Sequence, residues 1–179
     1  MAIRKVLTEE DETLRKKSKT VVDFDNRLHD LLDDMKDTMY KYEGAGLAAV
    51  QVGILKRVFI MDTGNGLKEC INPVLLKSEG INKVKVEGCL SVPGKCGLVE
   101  RPEKVWVEYY DRNGQKVNKK FTGFEAKCFC HESDHLDGIL YIDKASKMYK
   151  DRDEYGQEIE KTDDGKENTK SKNQNKSKK

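Results

Sequence analysis

The sequence predicts an α+β fold over residues 1–150, followed by a charged tail, 151–179, that is expected to be disordered. Three observations carry this reading. Short apolar stretches between residues 58 and 110 are separated by Gly, Asn and Pro, the pattern of strands joined in hairpins. Residues 122–138 then place Phe124, Cys128, His131 and His135 on one helical stripe, the mark of a single inward-facing helix. From Asp151 the apolar content collapses into seven acids over residues 151–165 and six lysines over 166–179. Such a segment buries too little apolar area to offset its ordering entropy.

Taken in order, Thr8 followed by Glu9, Glu10 and Asp11 reads as a short helix start. Leu28, Leu31, Leu32, Met35, Met39 and Tyr42 form the stripe of a longer helix that ends at Gly44, with His29 off the stripe and at the surface. Val58 to Met61 is a strand, and Gly64-Asn65-Gly66 turns the chain into Leu67 to Ile71. Asn72-Pro73 opens a second stretch, Val74 to Leu76. Val84 and Val86 alternate with lysines. Val105, Val107 and Tyr109 alternate with Trp106, Glu108 and Tyr110, and Asn113-Gly114 signals a tight hairpin. The buried helix opens on a capping box of Thr122 and Glu125, and Gly138 stops it. After apolar Ile139 to Ile142, residues Lys144 to Tyr149 read as a last short helix.

The chemistry centres on His131-Glu132-Ser133-Asp134-His135. Two histidines four apart lie one turn apart on the same helix face, where their imidazoles can share one divalent metal. Glu132 beside the first is then placed as general base. A third ligand is needed. Tyr141 stands where a longer motif would carry another histidine. Glu154 and Glu158 lie in a polar segment with little to hold a ligand rigid. Cys89 is better placed, in Glu87-Gly88-Cys89-Leu90-Ser91-Val92-Pro93-Gly94, where the backbone is stiff and bent. A thiolate and two neutral imidazoles leave a coordination position open, and they suit zinc, iron(II), cobalt and nickel alike.

Three stretches, Gly44 to Gln51 (GAGLAAVQ), Glu87 to Gly94 (EGCLSVPG) and His131 to His135 (HESDH), resemble the signature motifs of peptide deformylases, in that family's order. The resemblance covers residues 1–150. It implies antiparallel sheets wrapped around a central metal-bearing helix, one metal per chain with iron(II) as the working ion, and hydrolysis of the N-formyl group from formylmethionyl nascent peptides. It assigns oxyanion donation to the Gln51 side chain and the Leu90 backbone N–H. The substrate would lie as an added strand along Gly44, Ala45 and Gly46, its methionine side chain in an apolar pocket. Ala45 is smaller than the residue usual there. Arg101 is expected either to contact substrate or to form an ion pair with Glu87.

Composition narrows the alternatives. A formal net charge of +2 argues against a dedicated nucleic-acid binder. Residues 1–10 lack the apolar run of a signal peptide, no stretch reaches the length of a membrane span, and five cysteines suit a reducing compartment, so a cytoplasmic protein is expected. A monomer is expected too, though none of these features bears on it. Cys70, Cys96, Cys128 and Cys130 are expected to pack rather than ligate. Two rival readings are an endopeptidase with Glu154 or Glu158 as third ligand, and a metal-stabilised domain whose lysine-rich tail binds RNA. The tail is also expected to add ribosome affinity to an active enzyme.

Overall fold

The computed structural model describes residues 2–82, 86–150, 158–160 and 168–169. Two antiparallel sheets enclose one long helix. The first sheet has the order β1 (Gly46–Ala48), β2 (Val58–Met61), β3 (Lys68–Glu79), β6 (Lys104–Tyr110), β7 (Lys116–Thr122). The second runs β10 (Asn168–Thr169), β9 (Glu158–Glu160), β8 (Lys147–Lys150), β5 (Val92–Leu98), β4 (Val86–Cys89). Helix α1 (Asn26–Lys41) packs on β1 and β2, and α2 (Gly123–Leu136) lies against β1, β2, β6 and β7.

The apolar patterns explain this packing. Leu28, Leu31, Leu32, Met35 and Met39 of α1 are buried, while Asp25 caps its first turn by accepting from Leu28 N at 3.0 Å. Tyr42 lies beyond the helix and is 46% exposed, so it is not part of the stripe. In β6 Val105, Val107 and Tyr109 face the core, and β6 turns into β7 through Gly114, whose φ of 75° suits glycine. Phe129 of α2 meets Phe59 of β2 edge to face at 5.3 Å, fixing helix against sheet.

Four local expectations are revised. At the N-terminus the cap is Asp11, not Thr8: its carboxylate accepts from Thr13 N at 2.9 Å and opens a 3-10 turn over Glu12–Arg15. Asn72-Pro73 does not divide two strands. It forms a bulge within β3, where Asn72 takes a φ of 50° and its side-chain amide pairs with both backbone groups of Val21. Thr122 holds the N-cap position of α2 but makes no capping hydrogen bond, and Glu125 pairs instead with Lys68 at 2.8 Å. The helix expected over Lys144 to Tyr149 does not form beyond Lys144. Helix α3 (Tyr141–Lys144) ends there and the chain enters β8, because Met148 fits over Gly97 of β5, where any side chain would collide with its sulfur.

Val84 lies outside the described residues. So does most of 151–179, where disorder is expected; the exceptions, 158–160 and 168–169, pair as short strands on the outer side of β8.

Candidate metal centre and substrate cleft

Three segments distant in the sequence converge on one face of α2. His131 and His135 project from consecutive turns, their ring centroids 5.0 Å apart and the planes nearly perpendicular. Both are buried. Cys89 ends β4, at an irregularity in its pairing with β5 that re-aims the strand end, and its Sγ lies 3.3 Å from His135 Nε2. One ligand atom from each of Cys89, His131 and His135 lies within 4.8 Å of the others.

The groups around this trio fix its protonation. Burial pushes the Glu87 carboxyl up, but hydrogen bonds from His131 and Arg101 outweigh it and hold the pKa at about 2. Ionised, Glu87 can only accept, so His131 Nδ1, 2.8 Å from Glu87 Oε2, carries a proton. Burial pulls His131 down, but hydrogen bonds to Cys89 and Glu87 outweigh it and raise the imidazole to about 10; a metal at Nε2 would take the place of the second proton. Burial drives His135 well below its ordinary range, with His131 adding to the effect, so its imidazole is neutral. His135 Nδ1 is buried and has no hydrogen-bond partner. Two imidazole nitrogens and a sulfur, drawn together in a buried pocket, form a donor set that fits a divalent metal.

Arg101 belongs to the support of this trio, not to the substrate surface. It is 4% exposed, and its guanidinium engages Glu87 through Nε at 2.7 Å and Nη2 at 3.1 Å, and Asp134 through Nη1 at 2.6 Å. Asp134 in turn meets Lys144 at 2.8 Å. The substrate contact expected for Arg101 is therefore replaced by the ion pair with Glu87, because every nitrogen of the side chain is already committed inside the protein.

Glu132 is buried next to His131 on α2. Burial raises its pKa to about 7, with His131 drawing it down and Glu87 pushing it up. Its Oε2 is buried without a partner. A side chain at Gly46 would come within 2.4 Å of Glu132 Oε1, so the glycine of β1 supplies the space the carboxylate occupies. Gln51, in the 3-10 turn after β1, is held from both ends. Its Oε1 accepts from Ala48 N at 2.8 Å, and its Nε2 donates to Ser91 Oγ at 3.1 Å and points at Cys89 Sγ at 3.5 Å.

Gly46, Gln51, Glu87, Cys89, His131 and Glu132 border one cavity of about 320 Å³, which also takes in Gly44, Ala45, Leu90, Phe124, Lys127 and Cys128; His135, Ser91 and Arg101 do not line it. Phe124 is half-exposed at this cavity instead of pointing into the core as its stripe position suggested. Cys70, Cys128 and Cys130 are buried and Cys96 half-buried, all with free thiols. Glu158 lies in β9, and Glu154 is outside the described residues. Sequence reasoning missed Ser91 as the anchor of Gln51, Glu87 as the partner of His131, and Lys127 altogether. The first two lie inside EGCLSVPG, each two residues from Cys89, but only the way this segment meets α2 and the 3-10 turn reveals their contacts.

A cysteine sulfur and two imidazoles beside a raised carboxylate and a fixed amide donor, at one cleft of an α+β fold, suit a single-metal hydrolase. Residues 3–151 match the polypeptide deformylase family. The chain is 55% identical over 148 residues to a peptide deformylase of Caldicellulosiruptor bescii, covering 83% of this chain and 89% of that one. It is 52% identical over 147 residues to one of Alkaliphilus metalliredigens, covering 82% and 99%. The crystal structure of peptide deformylase from Thermotoga maritima superposes with a TM-score of 0.80 at 41% identity, covering 82% of this chain and 99% of that one. The chain belongs to the polypeptide deformylase family, metal-dependent hydrolases that remove the N-formyl group from nascent chains.

Proposed function

We propose that this chain deformylates N-formylmethionyl peptides with Glu132 as proton carrier, Gln51 and the Leu90 backbone N–H as oxyanion donors, and Cys89, His131 and His135 as ligands of one iron(II) ion. The observation that carries the assignment is the meeting of Glu132, Gln51, Cys89 and His131 around a single cavity, with His135 completing a trio whose ligand atoms lie within 4.8 Å of one another. When bound, the ion supplies Lewis-acid polarisation and lowers the pKa of water towards neutrality. The donor set accommodates zinc, nickel and cobalt as well, and the family resemblance is what favours iron(II).

The residues then divide the work. Glu132, near neutrality and with Oε2 free, takes the proton of the attacking water and returns it to the departing amine, a role that a pKa close to working pH serves best. As the formyl carbon becomes tetrahedral its oxygen gathers charge. Gln51 Nε2 and Leu90 N donate to it, and the hold of Ala48 and Ser91 on the Gln51 amide means no reorientation is needed at that moment. Cleavage of the C–N bond releases formate and a free N-terminal methionine. The peptide lies along Gly44, Ala45 and Gly46, whose lack of bulk lets another backbone approach.

The catalytic unit spans residues 1–150, since every group named here precedes Asp151, and it acts as a monomer, since one chain supplies them all. Residues 151–179 add affinity for ribosomes through their six terminal lysines. The substrate and the five cysteines support a cytoplasmic location.

Formate release from formyl-Met-Ala-Ser, with acetyl-Met-Ala-Ser as control, tests the assignment: turnover of the first alone is expected, whereas cleavage of internal bonds would mark an endopeptidase. Glu132→Gln should keep about one metal per chain and lose at least about a hundredfold in kcat. Near-normal turnover in that variant removes Glu132 from the mechanism.

A further inference from the structure

Tyr141 opens α3 at the position where a longer histidine motif would place a further ligand. It is 1% exposed, and its ring lies against the imidazole of His131, the centroids 6.0 Å apart and the planes inclined by 25°. That is an offset stack, a favoured arrangement of two aromatic rings. The same side chain belongs to a small core with Val92, Val99, Ala145 and Met148, against which Cys89 packs. One residue thus supports two ligand residues that arrive on different elements, α2 and β4.

The contacts of the His131 ring do different things. Its hydrogen bond to Glu87 fixes the direction of one edge, at Nδ1. The plane can still tilt about that bond, and Nε2 moves with the tilt. A stacked ring removes this remaining freedom. Tyr141 is anchored in turn, since its hydroxyl donates to the Lys95 carbonyl of β5 at 3.1 Å. Lys95 precedes Cys96, which pairs with Gly88 of β4, and Gly88 precedes Cys89. The plane of the imidazole is therefore referred to the strand that carries the thiol. Ligands held in place before a metal arrives lose less freedom on binding it, which shows as affinity.

Building on the ligand set Cys89, His131 and His135, we propose that Tyr141 is a positioning residue of the metal centre. Its ring sets the tilt of His131 and supports Cys89, so the histidine and the thiol keep one mutual geometry although they come from distant parts of the chain.

The test uses the full chain, zinc competition against a chromophoric chelator, and the absorption of bound cobalt(II), so turnover does not enter. Tyr141→Leu should weaken zinc binding about tenfold or more and shift the cobalt(II) bands, as loss of a group that orients a ligand does. Tyr141→Phe keeps the ring in its core and should stay within about threefold of wild type. Phe121→Leu removes another buried aromatic, one that packs 5.7 Å from Phe129 in the other core, and should also stay within about threefold. A smaller loss in Tyr141→Leu, or unshifted bands, overturns the assignment. So does an equal loss in Tyr141→Phe, which would place the effect on the hydroxyl, or in Phe121→Leu, which would make it general loosening. If Tyr141→Leu does not fold, Tyr141→Met, flexible enough to fill the gap, is read by the same limits; if neither folds, Tyr141 is a core residue only and the assignment falls. A wild type that binds neither ion removes the ligand set itself, whereas a wild type that binds both, with Tyr141→Leu unaffected, removes Tyr141 alone.

Discussion

Gly46→Ala probes the site through a residue that carries no chemistry. The new Cβ would lie 2.4 Å from Glu132 Oε1, 2.7 Å from Cδ and 2.8 Å from Cγ, against about 3.4 Å for ordinary contact. Gly46 is not among the left-handed glycines, so alanine adds no backbone strain, and all three nearest atoms belong to Glu132. The carboxylate must therefore retreat by about 1 Å. A misplacement of that size costs about a hundredfold, or about 2.7 kcal/mol in the barrier. The assay is formate release under saturating substrate, with metal content measured on the same sample, which should remain near one per chain. Because the effect runs through Glu132, the double variant Gly46→Ala/Glu132→Gln should be no more than about threefold slower than Glu132→Gln alone. Wild-type turnover in Gly46→Ala, or full additivity in the double variant, would refute the steric coupling.

Gln51→Ala should leave metal content unchanged and cost about 3–4 kcal/mol of transition-state stabilisation, seen in kcat more than in KM; a pure rise in KM would make Gln51 a binding residue. Arg101→Met strands the buried Glu87 carboxylate, while half-buried Asp134 keeps Lys144, and should lower the unfolding free energy in urea by about 3–5 kcal/mol; a loss below about 1 kcal/mol would contradict the buried Arg101–Glu87 pair. Glu87 has a folded pKa of about 2 against an ordinary 4.5, so the stability it contributes, on the order of 3 kcal/mol, is present above pH 4.5 and is lost as pH falls through about 2. Urea unfolding across that window should show a steeper pH dependence in wild type than in Glu87→Gln, and equal slopes would remove Glu87 as the source.

The sequence exposed those parts of the site that rest on short-range geometry. Spacing of four residues puts His131 and His135 on one helix face whatever surrounds them, and the bent backbone around Cys89 marks it as a ligand. Gln51 and Leu90 became visible only through the family resemblance, since a glutamine after a run of small residues has no spacing signature of its own. Arg101 was legible as a partner of Glu87 or of substrate, and choosing between them required its burial. Ser91 and Lys127 were hidden because their contacts depend on how β4 meets the 3-10 turn and α2. In the fold, alternation announced β6, where one face is buried along the whole strand. It failed for residues 144–149, whose conformation is set by pairing with Gly97 and Leu98 of β5, far back in the chain. The capping box failed for a related reason: Lys68 offers Glu125 a charged partner that the local sequence does not contain.

The two strands that border the cleft, β1 and β4, are each the terminal strand of their sheet. A terminal strand exposes unsatisfied amides and carbonyls, which in most stranded proteins invites association with other copies. Here each such strand is only three or four residues long, and both open onto the same 320 Å³ recess. A sheet from another molecule is too broad to enter, whereas a single extended chain end is not. The same recess that would accept an extended peptide thereby shields these two edges from pairing with another sheet.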